Sequence, residues 1–450
     1  MKKIKIIIII GIVLLNVLVG YMLSQGVIGD TDKYNDTLAQ ARAYAEKELC
    51  EKAINEYMDA LSIEDSVELR TEIIGVYEKA VEIGEFTSTY EMFEQVNSLV
   101  ERYSENSYVY EYACEFLYKY EKYEECADFL MQAQKLEVSS DKLNEITEKV
   151  RYKYTKVYAM YSDVSPEYDN MYLTVSDGIY SFLNDECGNE ISYNYTYASS
   201  FSEGYAFVKS LRPDGTEDSY IIDKNNVRQA YIEGAETSSG IGKAKDTDNK
   251  DILLLACKVG DVYSYYDING NKVFGEYAFA GRFRNNVAAV KDSDGNWLII
   301  DGSGSTISDT VFSDVVLNEF DECAPKGVIF AAIDGVYYLY DLTVTQIGDF
   351  SCDEAKAFVD DYAAYRAGGF WGYVGTDGSI IIGPQYEDAK SFSNGVGAVK
   401  TGERWYLINY TNQNILEETF EEIKYVSDKG ICFVKTGGYW SYIRMFYTGN

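Results

Sequence analysis

The order of apolar and polar positions divides this chain into three stretches. Ile6 to Leu23 is an 18-residue apolar run broken by a single polar side chain, Asn16. A helix of that length rises about 27 Å, close to the hydrocarbon thickness of a bilayer. From Thr37 to Tyr161, charged and apolar residues interleave at spacings of three and four, and no proline occurs before Pro166. That period predicts helices. From Tyr168 onward the spacing changes to short alternating or apolar runs parted by Gly, Asn and Asp. Such runs read as short strands joined by tight turns.

The strand region repeats. Eight apolar anchors close its strand-like runs: Val175, Val208, Cys257, Val290, Ile333, Tyr365, Val399 and Val434. Their steps are 33, 49, 33, 43, 32, 34 and 35 residues. The two long steps hold segments expected to be inserted loops, Glu233–Asp251 and Ser308–Lys326. All four tryptophans, Trp297, Trp371, Trp405 and Trp440, follow an anchor by six or seven residues. Tyr180, Tyr220, Tyr263 and Tyr337 take that place in the other units. Between anchor and aromatic lie turn residues such as Asp294-Gly295 and Gly368-Gly369, which tolerate positive φ. Each unit is thus a meander of three or four strands. One such sheet cannot bury its own apolar face, so neighbours must stack. The recurring aromatics, Trp297, Trp371, Trp405, Trp440, Tyr180, Tyr220, Tyr263 and Tyr337, are expected at the junctions. A propeller-like ring is the expected all-β architecture, with an open β-solenoid as the alternative. The last unit is short, and in a ring an N-terminal strand would complete it.

Phe392-Ser-Asn-Gly-Val-Gly-Ala-Val-Lys400 followed by Trp405-Tyr-Leu-Ile-Asn409 has close counterparts at Phe283–Asp301, Phe201–Asp223 and Phe358–Gly378. This pattern resembles the WG repeat family over most of Tyr168–Met445. Glycine follows tryptophan only at Trp371; Leu298, Tyr406 and Ser441 stand there elsewhere. The resemblance implies repeated β-units, common in bacteria, and carries no catalytic residues.

A second repeat lies in the helical stretch. Ala53, Tyr57 and Ala60 recur as Thr89, Phe93 and Val96, then as Cys126, Leu130 and Ala133. Small residues at this spacing let helices approach closely, and the large one fills the gap. The triplet resembles the second helix of the tetratricopeptide repeat, without that family's Trp-Leu-Gly or terminal proline. The resemblance implies a stack of helical hairpins with a peptide-binding concave face; a spacer bundle is the alternative.

Charge and composition narrow the function. Lys2, Lys3 and Lys5 precede the apolar run, and no basic residue follows until Lys33. The positive-inside bias keeps the N-terminus cytoplasmic and the bulk outside. A cleaved signal peptide, with Ser24-Gln25-Gly26 as its site, is the alternative and leads to secretion. Net charge is −33, which opposes nucleic acid and anionic headgroups. With no histidine, Ser-His-Asp and Cys-His catalysis and His-ligated zinc are excluded. Eight cysteines form no C-x-x-C pair and read as buried free thiols, with disulfides as the alternative. Asp246–Asp251 and Asp292–Gly295 have faint calcium-loop spacing, which turn chemistry also explains. Acidic pairs such as Asp360-Asp361 and Glu417-Glu418 resemble hydrolase carboxylates, which chance pairing among so many acids also explains. Tyr193, Tyr195, Tyr197 and Tyr265 are candidates for an exposed aromatic platform.

The sequence therefore predicts a cytoplasmic stub (1–5), a transmembrane helix (6–23), a linker (24–36), helical repeats (37–161), a β-repeat domain (168–445) and a tail (446–450). The expected function is a non-catalytic, envelope-tethered binding or scaffold protein engaging a protein or cell-wall polymer. No cofactor, metal or nucleic-acid partner is expected. The alternative is a carboxylate-dependent hydrolase of envelope glycan.

Overall fold

The computed structural model describes residues 27–188 and 190–446. The apolar run Ile6–Leu23 and the stub before it lie outside these residues, as do the last four of the tail. Among the described residues no helix is long and apolar enough to cross a membrane. The chain forms two compact units that part between Val150 and Arg151.

Among the described residues the first unit is a stack of seven helices: α1 (Val27–Glu46), α2 (Cys50–Ile63), α3 (Val67–Glu82), α4 (Tyr90–Arg102), α5 (Ser107–Lys119), α6 (Tyr123–Lys135) and α7 (Asp141–Val150). Helix α1 starts ten residues before Thr37, where helix was expected, because Gly29 alone is too weak to stop a helix. Ser66 caps α3 by accepting the Leu69 N–H, and Asn106 caps α5 through the Tyr108 N–H. Ala53, Tyr57 and Ala60 on α2 are buried, as are Cys126, Leu130 and Ala133 on α6. The middle triplet is weaker: Thr89 precedes α4 and is exposed, leaving Val96 to fill the contact. Cys114 and Cys126 face each other, each thiol directed at the other residue's carbonyl.

Among its described residues the second unit has strands and no helix, in eight consecutive antiparallel meanders. Their second strands hold the eight anchors, from Met171–Ser176 to Ile431–Thr436. In blade 1 the strands are Asp163–Val164, Met171–Ser176, Ile179–Asn184 and Glu190–Ala198, the last bending to open blade 2 as well. Blade 5 is typical of the rest, with Asp314–Val315, Val328–Ile333, Val336–Asp341 and Gln346–Cys352. In blades 4 and 7 the fourth strand is reduced to isolated bridges, Trp297 with Phe312 and Trp405 with Phe420.

Blade 8 draws on both ends of the unit. Tyr439–Met445 pairs antiparallel with Tyr154–Tyr161, Tyr154 opposite Met445 and Val157 opposite Tyr442. Residues 154–161 were expected to be helical, and this corrects that expectation. Thr155, Val157 and four aromatic or thioether side chains favour a pleated conformation, and their partner lies far along the chain, beyond the reach of local periodicity. The expected loop Glu233–Asp251 is corrected too: Ala235–Lys245 is the first strand of blade 3, its small residues packed beneath the next blade.

Buried clusters fill every seam. Tyr220 and Phe182 join blades 1 and 2, Phe207 and Leu255 join 2 and 3, and Tyr265 and Ile300 join 3 and 4. Trp297 and Tyr340 join 4 and 5, Phe330 and Tyr365 join 5 and 6, and Trp371 and Ile408 join 6 and 7. Trp405 and Ile443 join 7 and 8. Trp440 then meets Tyr172 and Leu183 of blade 1. A seam between the last blade and the first closes a propeller-like ring and rules out the open solenoid, whose terminal units never touch.

Candidate binding cleft at the centre of the ring

In blades 1, 4, 5 and 6 the first strand has only two residues, and the loops that follow contribute to one central cleft. The loop of blade 5, residues 316–327, is the longest. Asn318 organises it: its Oδ1 accepts the N–H groups of Phe320 (2.9 Å) and Glu322 (3.0 Å), and its Nδ2 donates to Glu322 Oε2 (2.9 Å). Such a turn suits asparagine, which mimics a backbone carbonyl. It sends Phe320 and Glu322 across to blade 1, on the far side of the ring. There the Phe320 ring meets Tyr168 edge-on with centroids 4.5 Å apart, and the Tyr168 hydroxyl donates to the buried Glu322 carboxylate. From blade 8, Lys424 Nζ donates to Glu319 Oε2 at 2.7 Å.

Arg282 of blade 4 lies beneath this crossing, 2 % exposed. Its Nε donates to the Ser239 carbonyl at 2.9 Å, and its guanidinium faces the Tyr168 and Phe320 rings at 5.0 and 5.6 Å. Gly240 makes room for it: a Cβ there would run into the guanidinium, and φ is +90°. Burial raises the Asp321 carboxyl above its ordinary value, opposed by Ser239 and Arg282. Burial, reinforced by Glu322, pushes the Tyr168 phenol up to about 12.

Above the crossing the loops leave a cleft of about 630 Å³. Phe320, Phe358, Val359 and Tyr425 supply its apolar walls, and Glu167, Asp169, Glu203, Asp360 and Asp428 its carboxylates. Arg284 and Lys326 are the basic groups on its edge. Asp169 pairs with Lys224 at 2.8 Å and Asp360 with Lys326 at 3.4 Å. Glu167 accepts the Asn170 N–H at 2.7 Å. Burial raises its carboxyl, and Asp428, Asp185 and Asp169 raise it further. Chemically, the cleft offers apolar contact together with incompletely compensated negative charge.

The aromatics picked out by sequence occupy the third strand of all eight blades, outside this cleft. Trp297, Trp371, Trp405, Trp440 and Tyr220 are buried; Tyr180, Tyr263 and Tyr337 are half-buried. Three tryptophans carry a lysine on or just after the first strand of their own blade: Lys356 over Trp371 (4.7 Å), Lys390 over Trp405 (5.5 Å) and Lys424 over Trp440 (5.4 Å). Lys356 and Lys390 continue to an acid of the next blade, Asp388 at 2.7 Å and Glu422 at 3.1 Å. Sequence reasoning missed this clamp. Its signal was present as Glu354-Ala-Lys356, Asp388-Ala-Lys390 and Glu422-Ile-Lys424, recurring every 34 residues.

Other candidates are accounted for locally. Asp246 Oδ1 accepts the N–H groups of Asp248 and Lys250, and Asp292 Oδ1 those of Asp294 and Asn296, so both supposed calcium loops spend a carboxylate on their own turn. Among the described residues no cluster of three or more suitable side chains is placed to hold a metal ion. Asp360 Oδ2 accepts the Asn394 N–H, and Glu418 is held by Tyr154 and Lys156. Tyr195 and Tyr265 are buried and Tyr197 is half-buried, so these three form no exposed platform. The Tyr193 side chain lies outside what the structure describes. All eight cysteines are free thiols, seven buried and Cys187 half-buried.

The family model described as WG containing repeat matches residues 188–210, 263–297 and 371–405. The last two segments each run from the third-strand aromatic of one blade to that of the next, Tyr263 to Trp297 and Trp371 to Trp405. Comparison with curated proteins gives no match. Among solved structures, BamB from Moraxella catarrhalis is 14% identical with a TM-score of 0.42, covering 65% of this chain and 100% of that one. The WD40 β-propeller domain of Doa1 is 13% identical with a TM-score of 0.29, covering 65% and 96%. At these scores the ring topology rests on the strand pairing and the seams.

Proposed function

We propose that this chain is a non-catalytic binding or scaffold protein, tethered by Ile6–Leu23 to a bacterial membrane with both folded units outside it. The observation that carries the binding reading is the central cleft. Loops from several blades converge there on one face of the ring, as in binding sites set by a rigid scaffold. The ring's own framework residues, the tryptophans and their lysines, are spent in the seams and leave the loop face to vary. We read the helical unit as tetratricopeptide-like, a second protein-binding surface. The basic residues Lys2, Lys3 and Lys5 ahead of the apolar run support the orientation.

Two measurements test this reading. Protease added outside intact cells is expected to digest the ring-bearing portion, and full protection would overturn the topology. A photo-crosslinking residue placed at Lys326, on the cleft edge, is expected to trap a discrete envelope protein, whereas one at Tyr158, on the exposed closing strand, is not. Absence of any adduct from the cleft edge would count against binding at this face.

A further inference from the structure

We propose that the central cleft takes an extended protein segment bearing an arginine or lysine flanked by apolar side chains; this rests on the binding reading above and names its partner. The cleft is within the size range of ligand-binding cavities, at about 630 Å³. Its walls divide by chemistry. Phe320, Phe358, Val359 and Tyr425 offer apolar contact on one part, and Glu167 and Asp428 offer carboxylates on another.

The charge balance selects the occupant. Around the cleft three acids already hold a base of this chain: Asp169 has Lys224, Asp360 has Lys326 and Glu319 has Lys424. Glu167 does not. It is half-buried, its one hydrogen bond comes from a backbone N–H, and the charges acting on it, Asp428, Asp185 and Asp169, are all negative. A partly dehydrated carboxylate among like charges is stabilised by an incoming cation more than by a neutral sugar, and an anion is repelled. A divalent ion needs several converging ligands, and no such cluster exists among the described residues. An organic cation on an apolar chain meets both parts of the wall.

The same wall shows how it would receive a guanidinium. Tyr168 already has the guanidiniums of Arg282 at 5.0 Å and Arg284 at 6.0 Å beside its ring, and Phe358 and Tyr425 of the cleft lining offer further rings to an incoming one. Burying the flanking apolar residues against Phe358 and Val359 would add affinity that charge alone lacks.

The experiment uses the full chain in detergent micelles and capped pentapeptides of sequence Ala-Leu-Arg-Phe-Ala, followed by calorimetric titration. Three comparisons are made: the same peptide with glutamine for arginine, spermidine as a cation without apolar flanks, and the double variant Glu167→Gln with Asp428→Asn. The expected result is binding of the arginine peptide, weakened at least tenfold by each of the three changes. Equal binding of the glutamine peptide, or undiminished binding by the double variant, overturns the cation requirement. Spermidine binding as tightly as the peptide overturns the protein-segment assignment, and no peptide binding at all overturns the proposal outright. Should the crosslink from Lys326 persist in the double variant, the binding reading stands and only this assignment falls; should that crosslink be absent from the unaltered chain, the reading itself falls.

Discussion

Trp440 is the point at which the ring's closure can be tested. It is 4 % exposed and packs with Val164, Tyr172 and Leu183 of blade 1 and with Phe433 of its own blade. Lys424 and Lys435 lie over its ring at 5.4 and 5.7 Å. Truncating a buried tryptophan to alanine costs about 3–5 kcal/mol. Lys424 has a mostly buried side chain, so its loss of contact adds about 1 kcal/mol. Trp440→Ala should therefore raise the opening constant of the seam by roughly a thousandfold to twenty-thousandfold, about 4–6 kcal/mol. Hydrogen exchange read by mass spectrometry locates the effect. Faster exchange is expected in Met171–Ser176, Ile179–Asn184 and Tyr154–Tyr161, with blades 4 and 5 little changed. Trp297→Ala should reverse that distribution, because its contacts are Phe312, Val315 and Tyr340. Unchanged exchange in blade 1 after Trp440→Ala would refute closure through this seam.

Further expectations concern the crossing loop, the helices and the thiols. Gly240→Ala forces a side chain against Arg282 at positive φ; destabilisation of at least about 1 kcal/mol in chemical denaturation is expected, and an unchanged midpoint would show that Arg282 is loosely held. Asp65 accepts two bonds from Arg70, at 2.6 and 2.8 Å, and this pairing lowers its carboxyl below the ordinary value despite partial burial. A lowered folded value means that the stabilisation is present above the unfolded pKa of about 3.9 and is lost as pH falls through the folded one. Acid melts should thus lose less stability in Asp65→Asn than in the unaltered chain; parallel acid curves would contradict this. Burial pushes the Cys257, Cys323 and Cys432 thiols up to about 12. The native protein should react slowly with a thiol reagent at pH 8, Cys187 first, and fully in denaturant. Rapid modification of more than one thiol in the native state would show that the seams open.

Much of the ring was legible because its outer strands obey local rules. Val290 and Val399 lie near the ends of second strands, Trp297 and Trp405 within the first two residues of third strands, and turns with glycines at positive φ join them. The first strands were not legible: Asp163–Val164, Phe279–Ala280 and Glu354–Ala355 have two residues each, too few to show alternation. The closing strand was misread because its partner is set by topology. Within the cleft, the acids were visible but their roles were not, since whether a lysine of another segment reaches an acid, as Lys326 reaches Asp360 and none reaches Glu167, is set by the fold. Phe320 and Arg282 carry no repeat signal at all; each is distinctive only once the loop of blade 5 has crossed the ring.

The closing strand also sets a schedule for biosynthesis. Tyr154–Tyr161 leaves the ribosome 278 residues ahead of Tyr439, the start of the strand it pairs with. At 5–20 residues per second that is a wait of roughly 15–55 s. Throughout it, a strand with Tyr158 and Met160 exposed has no neighbour on either edge, the condition that invites pairing with another chain. Blades 1 to 7 can form in order as they emerge, while the ring itself forms only after synthesis has all but finished. Folding of this protein must therefore include some means of keeping residues 154–161 solitary until their partner arrives.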